Sequence, residues 1–152
     1  MDIKDKVIVI TGAGRGLGRA IALALGAQGA TLALLDINRA DLEATAAMVH
    51  SQNGQCDQDS QCELFVCNVA SEAEVEAVFA AIKERFGVLH GLINCAGILR
   101  DGMLIKVKEG ELVEKMTLAQ WQSVIDVNLT GTFLCAREGA ALMAQGGQGG
   151  VI

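Results

Sequence analysis

Tyrosine and proline are both missing from this chain of 152 residues. Without tyrosine, no phenol is available anywhere along it as an acid or base. Without proline, turns fall to glycine, of which there are 18. No apolar run reaches the roughly 18 to 20 residues that span a bilayer. The start, Met1-Asp2-Ile3-Lys4-Asp5-Lys6, is charged and leads directly into a strand, without the apolar stretch and small-residue cleavage site of a secretory signal. A cytoplasmic protein is expected. There is no basic tract, and the net charge is -6, which argues against nucleic acid and anionic membrane surfaces as partners. The excess acid is spread along helices and reads as a solvated face.

The five cysteines are odd in number and contain no C-x-x-C, so neither a disulfide framework nor a zinc ribbon is expected. Cys56, Cys62 and Cys67 follow His50 without zinc-ligand spacing, so no metal is expected either. Cys67 and Cys95 read as small buried residues, and Cys56, Cys62 and Cys135 as loop residues. A length of 152 residues is enough for one domain with a real core, and the hydrophobic share of 51% with a mean hydropathy of +0.38 is slightly apolar for a soluble domain.

Strand and helix alternate along the chain. Val7-Ile8-Val9-Ile10 is a short continuous apolar run, as expected of a strand buried on both faces of a parallel sheet. A glycine-rich turn from Thr11 to Gly18 leads into a helix over about Leu17 to Gln28, stopped by Gly29. Thr31 to Leu35 reads as a second strand ending at Asp36. Asn38 is placed to cap a helix running to about His50, and Ser51 to Gln61 reads as a loop. Leu64 to Cys67 is the third strand. Ser71 to Glu74 has the S-x-x-E form of a capping box, opening a helix whose buried face carries Val75, Val78, Phe79, Ile82 and Phe86 and which ends at Gly87. Val88 to Ile93 is the fourth strand. Ile105 to Val113 reads as a small surface hairpin around Glu109-Gly110, either a substrate-side flap or a decorative excursion. Thr117 and Gln120 form a second capping box, starting a long helix to about Gln145. Val151-Ile152 reads as the first step of a fifth strand. This order describes an α/β fold, a Rossmann-type doubly wound parallel sheet with helices on both faces.

The turn Thr11-Gly12-Ala13-Gly14-Arg15-Gly16-Leu17-Gly18 is the chemical signal. G-x-G-x-x-G alone is weak, but here it follows a buried strand and opens a helix. A pyrophosphate needs close approach to free N–H groups at a helix N-terminus, and glycines permit both the tight turn and that approach. The P-loop alternative lacks its Gly-Lys-Ser/Thr, and a purely structural glycine turn stays open. Asp36 stands where a carboxylate accepts hydrogen bonds from an adenosine ribose and repels a 2′-phosphate, which favours NAD. Arg15 pulls towards NADP, since a guanidinium there could pair with that phosphate; it reads equally as a solvated helix-start residue.

These motifs resemble the classical short-chain dehydrogenases/reductases. Thr11, Gly12, Gly16 and Gly18 match T-G-x-x-x-G-x-G. Asn68-Val69 matches an Asp-Val pair that the resemblance places against the adenine. Asn94-Cys95-Ala96-Gly97 matches N-N-A-G, with cysteine for the second asparagine. Asn128, in Asp126-Val127-Asn128-Leu129-Thr130-Gly131, matches the active-site asparagine. The resemblance implies that Asn128 helps hold a water in a proton relay; the residue reads otherwise as a helix kink. The branch most similar is that of the 3-oxoacyl-[acyl-carrier-protein] reductases. The implied site is Thr11, Gly12, Gly14, Arg15, Gly16, Leu17, Gly18, Asp36, Ile37, Asn68, Val69, Asn94, Ala96 and Gly97 for cofactor, with Asn128 catalytic. The implied cofactor is NAD, with NADP as the alternative. The implied partners are a small carbonyl or alcohol substrate and further copies of the chain in a dimer or tetramer. The family's Ser and Tyr-x-x-x-Lys would follow the fifth strand, beyond Ile152. The expectation is therefore part of a longer oxidoreductase, whose fourth strand here keeps a bare edge. A non-catalytic nucleotide-binding module and a self-associating fragment are the other readings.

Overall fold

The computed structural model describes residues 3–52 and 62–152. In chain order the elements are β1 (Val7–Thr11), α1 (Gly16–Gly26), β2 (Thr31–Asp36), α2 (Arg39–Gln52), β3 (Cys62–Val66), α3 (Glu72–Phe86) and β4 (Gly91–Asn94). A hairpin of β5 (Ile105–Lys108) and β6 (Glu111–Lys115) follows, then α4 (Leu118–Ile125), a π-helical segment (Asp126–Thr130) and α5 (Gly131–Gly146). The main sheet has the order β3-β2-β1-β4 with every pairing parallel.

Alternation along the strands sorts side chains into two cores. Val7, Val9, Ala33 and Leu35 face one way, against Val75, Phe79 and Ile82 of α3 and Leu134 and Leu142 of α5. Ile8, Ile10, Leu32 and Leu34 face the other way, against Ala22 of α1 and Leu42 and Val49 of α2. Both faces of β1 and β2 are thereby covered, which is why their sequences run apolar without alternating.

Several boundaries differ from the sequence reading. The first helix spans Gly16–Gly26, because Gln28 and Gly29 already turn back, with Gly29 at φ +83°. The second runs through Ser51 and Gln52, past the expected start of the loop; the rest of that loop, with Cys56, lies outside the described residues. The third strand spans Cys62–Val66, so Cys62 belongs to the sheet and Cys67 follows it, buried; Cys135 is buried on α5 and not in a loop, because its position faces the sheet, and Cys95 is only half-buried. The fourth strand pairs from Gly91, not Val88. At Ser71 only half of the expected capping box forms. The hydroxyl accepts from the Glu74 amide at 3.4 Å, while the Glu74 carboxylate accepts from the Asn68 amide at 2.9 Å. The Thr117–Gln120 box is complete.

The expected continuous helix from Thr117 is interrupted. At its middle, the Gly131 amide donates to the Asp126 carbonyl, five residues back, and the turn widens into a π segment around Asn128. The hairpin forms as expected, with Glu109 at φ +54° and Gly110 at +85°, the positive pair that a tight two-residue turn needs. All of its strand residues are exposed. Val151 pairs in parallel with Gly91, exchanging hydrogen bonds with His90 and Leu92, so the edge of β4 is covered at that point and not bare throughout. No described helix is long and apolar enough to cross a membrane.

Candidate nucleotide-binding cleft

The strands' carboxyl ends share one rim of the sheet. There β1 has β2 on one side and β4 on the other, and the chain leaves towards opposite faces, the arrangement that opens a crevice in such sheets. A cleft of about 340 Å³ lies at this point.

Thr11 ends β1 almost wholly buried, and its hydroxyl accepts from the amides of Cys95 and Ala96, both at 3.1 Å. This ties the glycine turn to the loop after β4. The cysteine that replaces the family's second asparagine keeps that backbone bond, which its side chain does not make. Gly16 has φ +56° with open space around it, so backbone conformation is what demands glycine there. At Gly18 the reason is space. A Cβ would lie 2.2 Å from the Gly12 carbonyl oxygen, so α1 can sit on the turn only without one. The N-cap residue, Arg15, makes no side-chain capping bond, and no acid lies in the first turn of α1. Its leading N–H groups are thus left to a ligand, in a field that favours an anion.

Asp36 closes β2. One carboxylate oxygen accepts from the Gly14 amide at 2.9 Å, the other from the Asn38 amide at 3.0 Å. Ile37 beside it is 69% exposed and forms a wall of the cleft. After β3, the Asn68 side-chain oxygen accepts from the Ala70 amide at 3.1 Å and fixes the turn carrying Val69. Asn128 is held by Ile98, accepting from its amide at 2.9 Å and donating to its carbonyl at 3.0 Å. The π turn brings the side chain of one element onto the backbone of the loop after β4, a use such bulges often have at functional sites.

Of the residues expected to hold the cofactor, Gly12, Arg15, Gly16, Leu17, Gly18, Asp36, Ile37, Asn68, Val69, Ala96 and Gly97 line the cleft. Thr11 and Gly14 stand behind it as supports. Asn94 lines a different hollow, an apolar one with Ile8, Leu25 and Val151. Asn128 stands behind Ile98. Four lining residues escaped the sequence reading: Cys67, Cys95, Ile98 and Val127. Each flanks a residue that was found, so motif adjacency was the available signal. Burial pushes the Cys67 thiol up to about 11, helped by the Glu74 carboxylate, and also raises Cys95. Both stay protonated near neutrality, so neither adds negative charge where a pyrophosphate would lie. Among the described residues, no group of three or more His, Cys, Asp or Glu is placed to hold a metal ion.

Uncapped N–H groups, a glycine cradle and a fixed carboxylate one strand away suit a dinucleotide. The comparisons with known proteins agree. A family model described as short chain dehydrogenase matches residues 6–152. Levodione reductase of Leifsonia aquatica is 38% identical over 97% of this chain and 51% of its own length. The 3-hydroxyacyl-CoA dehydrogenase type-2 of Rattus norvegicus is 39% identical over 99% of this chain and 55% of its own. The crystal structure of levodione reductase superposes with a TM-score of 0.80 over 98% of this chain and 53% of that one. The chain thus spans about half the length of these relatives, and over that span it belongs to the short-chain dehydrogenase family.

Proposed function

We propose that this chain is the nucleotide-binding portion of an NAD-dependent oxidoreductase that moves hydride between nicotinamide and a carbonyl/alcohol pair. The observation that carries the reading is Asp36, held by two backbone amides at the rim of the cleft, one strand away from the uncapped start of α1. A ribose diol offers donors to that carboxylate, whereas a 2′-phosphate would meet its charge. Arg15 lines the same cleft from the N-cap of α1, where its guanidinium can face the pyrophosphate. Leu17, Ile37 and Val69 supply apolar walls, with Asn68 beside the adenine. Gly12, Gly16 and Gly18 shape the cradle with Gly14 behind it, and Ala96 and Gly97 line the cleft after β4, tied to the end of β1 by Thr11; Asn94, at the end of β4, enters the reading by the family resemblance alone.

A bound nicotinamide would supply the hydride chemistry. Asn128 orients the Ile98 backbone and holds the relay water in this reading. The family's acid/base tyrosine has no counterpart among these 152 residues, which span about half the length of the relatives. The name of the 3-hydroxyacyl-CoA relative supports 3-oxoacyl thioesters as the first substrates to try. Leu118, Trp121, Leu129 and Phe133 are exposed along the helix after the hairpin and support a homo-oligomer.

Fluorescence titration tests the cofactor. The chain should bind NADH saturably and more tightly than NADPH; no binding of either would end the reading. Intact mass of the protein from its source tests the remainder, and a value well above 15.9 kDa is expected.

A further inference from the structure

Thr11 and Thr45 are the two buried polar residues among those described. Thr11 belongs to the glycine motif. Thr45 belongs to no motif: it sits on α2, fully buried, against the carbonyls of Ala13 and Gly14 and outside the lining of the cleft. An unbonded hydroxyl there would be costly. The Thr45 oxygen accepts from Nε of Arg19 at 2.9 Å, and its proton has three carbonyls within reach, those of Ala13 and Asp41 at 3.0 Å and of Gly14 at 3.3 Å. Nη2 of Arg19 also donates to the Gly14 carbonyl.

Gly14 is consequently held at both ends. Its carbonyl takes the guanidinium, and its amide donates to Asp36. A Cβ on Gly14 would lie 2.8 Å from the Asp36 carboxylate and from Cβ of Asp41, so the peptide has no room to slide. We infer that Thr45 and Arg19 are positioning residues for nucleotide binding, bracing Gly14 from behind and thereby aiming the Asp36 carboxylate into the cleft. The inference rests on the proposed NAD site.

The test uses the chain as it stands. Thr45→Val keeps the shape and removes the hydroxyl. Its affinity for NADH and for ADP-ribose should fall by the same factor, about five- to tenfold, the range that goes with one lost hydrogen bond. Thr45→Ser should restore binding. Val49→Ala, at a buried neighbour on α2, should lower the melting temperature and leave affinity unchanged. The Gly14 amide should exchange faster in T45V without nucleotide. If T45V unfolds, Arg19→Lys, which keeps the charge and loses the two-point grip, should show the same drop in affinity. Wild-type affinity in T45V, or in R19K where that variant replaces it, overturns the brace while leaving the NAD reading intact; so does an unchanged Gly14 exchange rate. Failure of the wild-type chain to bind NADH overturns the NAD reading and the brace with it.

Discussion

Asp36→Ala separates two jobs that one carboxylate performs in this structure. The first is internal: the Gly14 amide is buried, and losing its acceptor leaves a donor unpaired. That costs about 1–3 kcal/mol of stability, or a fall of roughly 2–4 °C in melting temperature per kcal/mol for a chain of this size. The Asn38 amide is exposed and water replaces its partner. The second job is external. Hydrogen bonds from ribose hydroxyls to a carboxylate are charge-assisted, worth about 1.5–3 kcal/mol, so NADH affinity should fall by roughly 10- to 150-fold. A loosened glycine turn would weaken NADH and NADPH alike, because they share the pyrophosphate. Only NADH loses a favourable ribose contact, and only NADPH is relieved of repulsion. The ratio of the two dissociation constants therefore isolates ribose recognition from loop support. Titration of both nucleotides into wild type and D36A should show the preference for NADH collapsing by at least tenfold. Equal losses for both would refute the ribose role and leave Asp36 as a support for Gly14 alone.

The thiols of Cys62 and Cys135 are pushed up to about 12 and that of Cys67 to about 11, in each case chiefly by burial, against an ordinary value of 9.0. The folded chain holds these protons more tightly than the unfolded one, so their stability contribution is complete below about pH 9 and lost as pH rises through 11 to 12. Melting temperature should fall above pH 9, and less steeply in Cys135→Ala; equal slopes would contradict the assignment. Gly18→Ala should abolish nucleotide binding, because the added Cβ meets the Gly12 carbonyl at 2.2 Å; retained NADH affinity would show that the turn can move. Asn128→Ala removes both bonds to Ile98. The site is exposed, so about 1 kcal/mol of lost stability is expected, with faster Ile98 amide exchange as the reading that checks it. Glu109→Asn should protect the hairpin amides from exchange, since asparagine suits φ +54° better than glutamate does, without altering NADH affinity.

Much of this architecture was legible because burial on both faces leaves a strong mark. Val7 to Ile10 and Thr31 to Leu35 are continuous apolar runs, and the turns after them are spelled in glycine and aspartate. Boundaries were less legible. Val88 and Leu89 are as apolar as a strand, yet pairing with β1 begins only at Gly91; hydrophobicity marks burial, not hydrogen-bond partners. The π turn was marked only by Asn128, whose alternative reading was a kink residue inside the helix. The usual sequence causes of such a break, a proline or a glycine pair, are not there; what accompanies it is the bond from Asn128 to Ile98, 30 residues away, and the fit of Gly131 against Val69, where a Cβ would lie 2.8 Å from the valine side chain. Thr45 was illegible for the same reason: a threonine inside a helix usually signifies little, and only the fold places it under the glycine turn.

The rim of the sheet is secured by one device used repeatedly. Thr11 holds the loop after β4, Asp36 the glycine turn and the start of the next loop, Asn68 its own turn after β3, and Asn128 the backbone at Ile98. Each is a short polar side chain bonded to main-chain groups, and each fixes a loop at the residues nearest its strand, where the least motion would displace the cleft most. Backbone donors fixed in this way need little reordering when an anion arrives, so less of the binding energy is spent on closure. Binding of NADH should accordingly slow amide exchange at the turn from Gly12 to Gly18 and at Ala96 to Ile98 while leaving the sheet and α3 unaffected. Protection that spread through α3 would mean that the cleft is assembled by the ligand, and that these four side chains describe only one member of a looser ensemble.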